Sequence, residues 1–256
     1  MLGNDKVMKK IITCLLTTLG LTTACGQAQK NAAYEVDEFQ TQSGKTVKIH
    51  ALVHASMWIE AGDVQIFVDP VTKLGNRKID YAMMPKADII LVTHEHHDHL
   101  DKDAIRLLSK DDTQLIMNQA SVKAFGKGQS MENGDKRQLT ADITLEAVPA
   151  YNITKGHTQF HPKGRDNGYI LTIDELTIYI AGDTEDIDEM TTVKDIDIAF
   201  LPCNQPYTMK PEQLIKVAKI IRPKVLFPYH YSETDLTPIT AQLNAEGIEV
   251  RIRHYE

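Results

Sequence analysis

Cysteine is scarce in this chain. Three occur in 256 residues, and two of them, Cys14 and Cys25, lie at the N-terminal end. Cys203 is left without an intramolecular partner once that segment is set aside, which excludes a disulfide framework. A chain of this length can stand on its core instead. Positive charge is also short: 28 Lys and Arg face 35 Asp and Glu, a formal net charge of -7. That balance excludes a broad nucleic-acid surface, which needs clustered basic side chains. There is no Gly-x-Ser-x-Gly elbow for a serine nucleophile, no low-complexity tract and no fixed-period repeat. What is present, 42% hydrophobic residues, suffices for one large α/β domain or two small ones.

The N-terminal segment reads as separate from the fold. Lys9 and Lys10 precede an apolar run, Ile11 to Leu16, that continues through Leu19 and Leu21 to Ala24-Cys25. A basic start, a short apolar stretch and small residues describe an export signal, and the run is too short and too rich in Thr to span a bilayer. It resembles a bacterial lipoprotein signal over residues 1–24, with Cys25 as the lipidated residue and an exported, membrane-anchored protein as the consequence. A plain cleavable signal or an uncleaved anchor is the alternative. Residues 1–24 carry Lys6, Lys9, Lys10 and Asp5, a net of +2, so their removal takes the charge of -7 to about -9. Residues 25–45 are polar, lack a hydrophobic period and read as a tether.

From Thr46 the pattern is that of strands. Val47, Ile49, Ala51 and Val53 alternate, Met57–Ala61 follows, and Gly62-Asp63 turns the chain into Val64–Val68. Ala87–Val92 is an apolar run of the kind covered on both faces. A helix is expected over Asp101–Ser109, and strands over Gln114–Met117, Lys136–Leu139 and Ile143–Val148. Tyr169–Ile173 and Leu176–Ile180 read as a hairpin, and Ile196–Leu201 as a buried strand. Pro211–Ile221 is an amphipathic helix with Pro in its first turn. Lys224–Phe227, a helix over Thr237–Ala245 and a strand over Ile248–Arg253 complete the pattern. Two halves, each of strands and then helices, predict a four-layer αββα sandwich.

The strongest chemical signal is Val92-Thr93-His94-Glu95-His96-His97-Asp98-His99-Leu100. Imidazoles and a carboxylate this close together, directly after a buried strand, suit zinc and its borderline neighbours. Alternation sends His94 and His96 to one side of an extended loop, where they grip one ion. Asp98 and His99 point at a second position, and His97 faces solvent. A polar loop with Asp98 as helix cap would not need this spacing.

Here the chain resembles the metallo-β-lactamase superfamily, whose signature is His-x-His-x-Asp-His, from about Val47 to His254. Within it, the sequence looks like the lactonase-like and metal-dependent hydrolase subgroup. The resemblance implies three more ligands. One is a histidine in Ala150-Tyr151-Asn152 … His161-Pro162-Lys163-Gly164, where His161 is favoured and His157 stays open. The others are Asp183 in Ile180-Ala181-Gly182-Asp183-Thr184 and His230 in Phe227-Pro228-Tyr229-His230-Tyr231. Asp183 and His230 also follow predicted strands, where a rigid scaffold presents functional groups on loops. By the same resemblance Asp69 supports the ligands from behind, and His54 stands at the rim as a catalytic residue beside Asp98. His50 and His254 receive no role.

The implied activity is hydrolysis by a water activated between two divalent ions, most readily zinc, with manganese or iron as alternatives. Asp183 bridges the ions, His94, His96 and His161 hold one, and Asp98, His99 and His230 hold the other. The substrate is a small molecule: a lactone, an ester or a phosphodiester. Lys163 and Arg165 stand where a phosphate could be met, although basic side chains in an exposed loop are more often simply solvated. Asp183 disfavours a β-lactamase, a thioesterase stays open, and a metal-storing lipoprotein without turnover is the non-enzymatic alternative.

Overall fold

In the computed structural model, which describes residues 34–255, alternation along the strands sorts side chains into an inner and two outer layers. Four antiparallel strands open the described residues: β1 (Val36–Gln40), β2 (Thr46–Val53), β3 (Ser56–Ala61) and β4 (Val64–Val68). A small hairpin, β5 (Lys73–Leu74) and β6 (Arg77–Lys78), stands apart. Then come β7 (Ile89–Val92), α1 (Lys102–Leu108), β8 (Gln114–Met117), α2 (Gln119–Phe125) and β9 (Gln129–Ser130). The second half holds β10 (Lys136–Gln138), β11 (Ile143–Ala150), β12 (Asp166–Ile173), β13 (Leu176–Ile180) and β14 (Ile198–Pro202). It closes with α3 (Pro211–Ile221), β15 (Val225–Tyr229), α4 (Thr237–Ala245) and β16 (Glu249–Val250).

Two seven-stranded sheets result, ordered β1-β2-β3-β4-β7-β8-β9 and β10-β11-β12-β13-β14-β15-β16. Their facing sides interlock in one core: Ile49, Met57, Ile59, Ile66 and Leu91 from the first, Leu145, Leu171, Ile178, Phe200 and Phe227 from the second. The opposite faces are covered by helices. Phe67, Ile90 and Val92 pack with Ala104, Ile105 and Leu108 of α1. Tyr179, Leu201 and Leu226 pack with Leu214 and Val217 of α3 and with Ile239 and Leu243 of α4. The architecture is the αββα sandwich of the metallo-β-lactamase fold.

Several boundaries differ from the sequence reading. Residues 36–40, assigned to the tether, form β1. Asp37 is buried and ion-paired to Arg251 and Arg253, and Phe39 meets Phe227 edge-on, so contacts from the far end of the sequence make this strand. The helix after the histidine run begins at Lys102, capped by Asp101, whose carboxylate accepts from the Asp103 and Ala104 N–H groups. Asp98 is left free of that duty. β12 starts at Asp166 rather than Tyr169, and the last strand is shorter than 248–253. Among the described residues no helix is long and apolar enough to cross a membrane. The expected signal and Cys25 lie outside the described residues.

Candidate metal centre

The strands that matter here end at one edge of the sandwich, and several exits bend sharply there. His54 after β2 (φ 58°), Asp69 after β4 (φ 42°), Gly182 after β13 (φ 66°) and His230 after β15 (φ 47°) are all left-handed. At Gly182 no side chain fits: a Cβ would lie 2.6 Å from the Asn167 carbonyl. Backbone bonds tie the exits together. The His230 N–H donates to His54 O at 3.2 Å, the His54 N–H to Tyr255 O at 2.9 Å, and the Asn167 N–H to Thr93 O at 3.1 Å. Cβ-bearing residues in this conformation cost free energy and persist where the surroundings enforce it.

Asp183 sits at the middle of the imidazoles. Its Oδ2 lies 3.1 Å from His230 Nε2, 3.4 Å from His161 Nε2 and 3.9 Å from His94 Nε2, and its Oδ1 lies 3.4 Å from His99 Nε2. The ligating atoms fall into overlapping groups: His94, His96 and His161; His54, Asp98, His99 and His230; and His94, His99 and Asp183. His94 Nε2 and His96 Nδ1 are 3.1 Å apart, and Asp98 Oδ2 is 3.4 Å from His54 Nε2.

The ring nitrogens on the far side are fixed by oxygens. His99 Nδ1 meets Asp69 Oδ2 at 2.8 Å, and Asp69 also accepts the Thr93 N–H and hydroxyl. His161 Nδ1 meets Asp166 Oδ2 at 2.9 Å, and His94 Nδ1 lies 3.0 Å from Thr93 Oγ1. These contacts turn each Nε2 toward the centre. Burial depresses His94 strongly, reinforced by His99, and depresses His96 with help from His161 and Arg165; Asp183 opposes both shifts. Burial lowers His230 as well, against the pull of Asp183. These rings stay neutral, the form a metal accepts. For His99 burial also acts downward, but Asp183 and Asp69 outweigh it and raise the ring well above its usual value. Burial pushes Asp98 and Asp183 up, yet both end below the usual carboxylate range. The bond to His54 and the charge of His99 hold Asp98, while His230 and His99 hold Asp183.

These residues fit divalent ions. His99 Nε2, Asp183 Oδ1 and His230 Nε2 are buried and have no hydrogen-bond partner, a cost that polar groups normally avoid. A set of imidazole nitrogens and carboxylate oxygens is the donor chemistry of zinc, iron and manganese.

All the sequence-predicted ligands meet here. His161 joins the cluster, whereas His157 is turned to the buried Glu185 at 3.1 Å. His97 is 92% exposed. His50 pairs with Glu60 and stacks on Trp58, and His254 pairs with Glu35. Cys203 packs its side chain into the core under α3 and α4, its N–H donates to the His230 carbonyl at 3.4 Å, and burial pushes its thiol up to about 12. The two basic residues raised for phosphate are already engaged. Lys163 Nζ lies 2.7 Å from Glu189 and 3.0 Å from the Tyr151 hydroxyl, and Arg165 pairs with Asp166 and Glu95. Sequence reasoning missed Asp166, the carboxylate behind His161, and Glu185, which accepts the Ile153 and Thr154 N–H groups and anchors the loop leading to it. The position of Asp166 at a strand entry, next to Asn167-Gly168, gave no such signal.

A cavity of about 600 Å³ opens over the centre. Its floor is His96, Asp98, His161, Asp183 and His230, with His54 at the side.

The comparisons agree with this geometry. The sequence model of the β-lactamase superfamily domain matches residues 48–230. A UPF0173 metal-dependent hydrolase of Thermococcus kodakarensis is 33% identical over 198 residues, 73% of this chain and 85% of that protein. A crystal structure from Parabacteroides distasonis, provisionally named a metal-dependent hydrolase, is 50% identical with a TM-score of 0.84, covering 88% of this chain and 100% of that one. A metallo hydrolase of the archaeon Ignicoccus hospitalis is 25% identical with a TM-score of 0.68, over 80% of this chain and 94% of that one. The chain belongs to the β-lactamase superfamily and is a metal-dependent hydrolase of the metallo-β-lactamase fold.

Proposed function

We propose that the centre holds two divalent ions and hydrolyses a lactone, ester or phosphodiester. The observation that carries this is the place of Asp183, one carboxylate within 4 Å of an Nε2 from His94, His99, His161 and His230. His94, His96 and His161 form one half of the site, Asp98, His99 and His230 the other, and Asp183 belongs to both. Zinc suits the set best, with manganese or iron as alternatives. When bound, two such ions supply a water whose pKa falls from about 15.7 toward 7.

The chain's own residues do the rest. Asp69 and Asp166 hold His99 and His161 in the ligating tautomer. Asp98, held ionised, takes the proton released as water adds to the substrate. His54, 3.4 Å away and facing the cavity, relays that same proton from Asp98 to the leaving oxygen, so both groups end as they began. Metal analysis and a hydrolysis screen with lactone, phosphodiester, thioester and β-lactam probes test the reading on one sample. About two equivalents of metal and turnover of a lactone, ester or phosphodiester are expected. Protein that holds no transition metal after dialysis against it would refute the proposal.

Location rests on the N-terminal sequence alone: the Lys9-Lys10 start, the apolar run and Cys25. We read these as a lipid anchor that places the enzyme outside the cytoplasm, and Cys25→Ala is expected to release it from membranes. Wild-type protein already in the soluble fraction would leave a plain export signal.

A further inference from the structure

The cavity walls differ in kind from its floor. One wall is aromatic: Phe160 and Tyr207 meet edge to face with ring centroids 4.9 Å apart, and Tyr207 is 45% exposed. Leu74, on the β5–β6 hairpin, also lines the cavity. Asn204 and Ser232 add neutral polar groups, joined by a 3.1 Å bond.

The aromatic wall is built before any ligand arrives. Asn152 links the two loops that carry it: its side-chain amide donates to Tyr207 O at 2.7 Å, and its N–H donates to His161 O at 2.8 Å. Glu185, fully buried, fixes the same loop through the Ile153 and Thr154 N–H groups. A preformed aromatic surface over a reactive floor binds a flat apolar group with little ordering cost.

Among the described residues, no lysine or arginine lines the cavity. Lys163 is bound to Glu189 and Tyr151, and the Arg165 guanidinium, 3.5 Å from His96 Nε2 behind the floor, is neutralised by Asp166 and Glu95 and bonded to the Phe160 carbonyl. Sites for phosphoryl groups normally add such cations to clamp the developing charge.

We propose that this cavity selects an uncharged carboxylic ester or lactone bearing a flat apolar group, seated on Phe160 and Tyr207, over a phosphodiester. The inference rests on the hydrolytic reading above, which makes the histidine-aspartate floor the reacting end. Hydrolysis adds one water, breaks the acyl C–O bond, and leaves a carboxylate, a proton and an alcohol. The aromatic pair determines specificity by position and takes no part in that step.

The test uses the metal-loaded full chain with a phenyl-substituted γ-lactone, its methyl counterpart and bis(4-nitrophenyl) phosphate. Calorimetry follows the binding of an inert phenyl-substituted γ-lactam to the same protein. The phenyl lactone is expected to exceed the methyl lactone about tenfold in kcat/KM, and the phosphodiester about a hundredfold. Tyr207→Ala is expected to raise KM for the phenyl lactone and weaken lactam binding, each about tenfold, with metal content at the wild-type level; Tyr207→Phe restores both. A phosphodiester turned over faster than either lactone overturns the proposal, as does lactam binding that is absent or indifferent to Tyr207→Ala. If no probe is hydrolysed yet the lactam binds through Tyr207, the hydrolytic reading fails and the aromatic subsite stands.

Discussion

The two ends of the sandwich use the same residue types in opposite ways. At the end remote from the metal centre, Asp142 pairs with Lys45, Asp174 accepts from Thr41 and Ser43, and Asp197 holds Lys224 at 2.6 Å and the Thr177 N–H at 2.9 Å. Each of those carboxylates has a cation or hydroxyl as partner and needs nothing more. At the other end Asp183 faces only imidazoles, and its Oδ1 has no hydrogen bond at all. Pairing marks a carboxylate that steadies the fold, and a buried carboxylate short of partners marks one held for a ligand.

Three substitutions would break or sharpen that contrast. Asp183→Asn keeps the shape and removes the charge shared by both halves of the centre. Turnover is expected to fall at least about a hundredfold and the second metal to weaken or leave, while folding survives. Rate and metal stoichiometry on one sample check this, and two retained metals with full turnover would reduce Asp183 to a turn residue. Asp166→Asn acts one step back, through His161. It is expected to weaken metal binding by about ten- to a hundredfold, read by competition with a chelator; an unchanged affinity would show that His161 is held by packing alone.

Asp197→Asn, at the far end, is expected to lower stability by about 1 kcal/mol at most, because solvent screens the pair, and to leave metal content alone. Burial pushes this carboxyl up, but Lys224 and Thr177 outweigh it and hold its folded pKa below the ordinary value. Its contribution is therefore complete above about pH 4 and lost as pH falls through the lower folded value. Thermal melts of the two proteins should differ near neutrality and converge in acid; a gap that widens in acid would reverse the assigned sign.

Parts of this molecule were legible because their signals are local. The spacing from His94 to His99 after an apolar strand needs no tertiary knowledge, and Gly182-Asp183 and Tyr229-His230 sit where strands end. Alternation in β2 and β3 also displays the inner face directly. What stayed hidden depends on distant partners. β1 is a short, mostly exposed edge strand whose Asp37 makes sense only beside Arg251 and Arg253. Asp166 gains its meaning from His161, and Glu185 from backbone groups some thirty residues away. The Phe160–Tyr207 wall joins two loops that no periodicity connects.

The left-handed strand exits set evolution against itself. His54, Asp69 and His230 each hold a conformation that costs a side chain of the L series about 1 kcal/mol or more, and that glycine adopts freely. Exchange for glycine at those positions relieves the backbone while removing a group of the centre or its support. At His230, whose ring nitrogens are buried without hydrogen-bond partners, selection for thermal endurance alone would favour glycine, whereas at Asp69 the bonds to Thr93 and His99 would be lost together with the strain. Selection on turnover keeps His230 in place, so at that exit the sandwich carries a standing tension between durability and use.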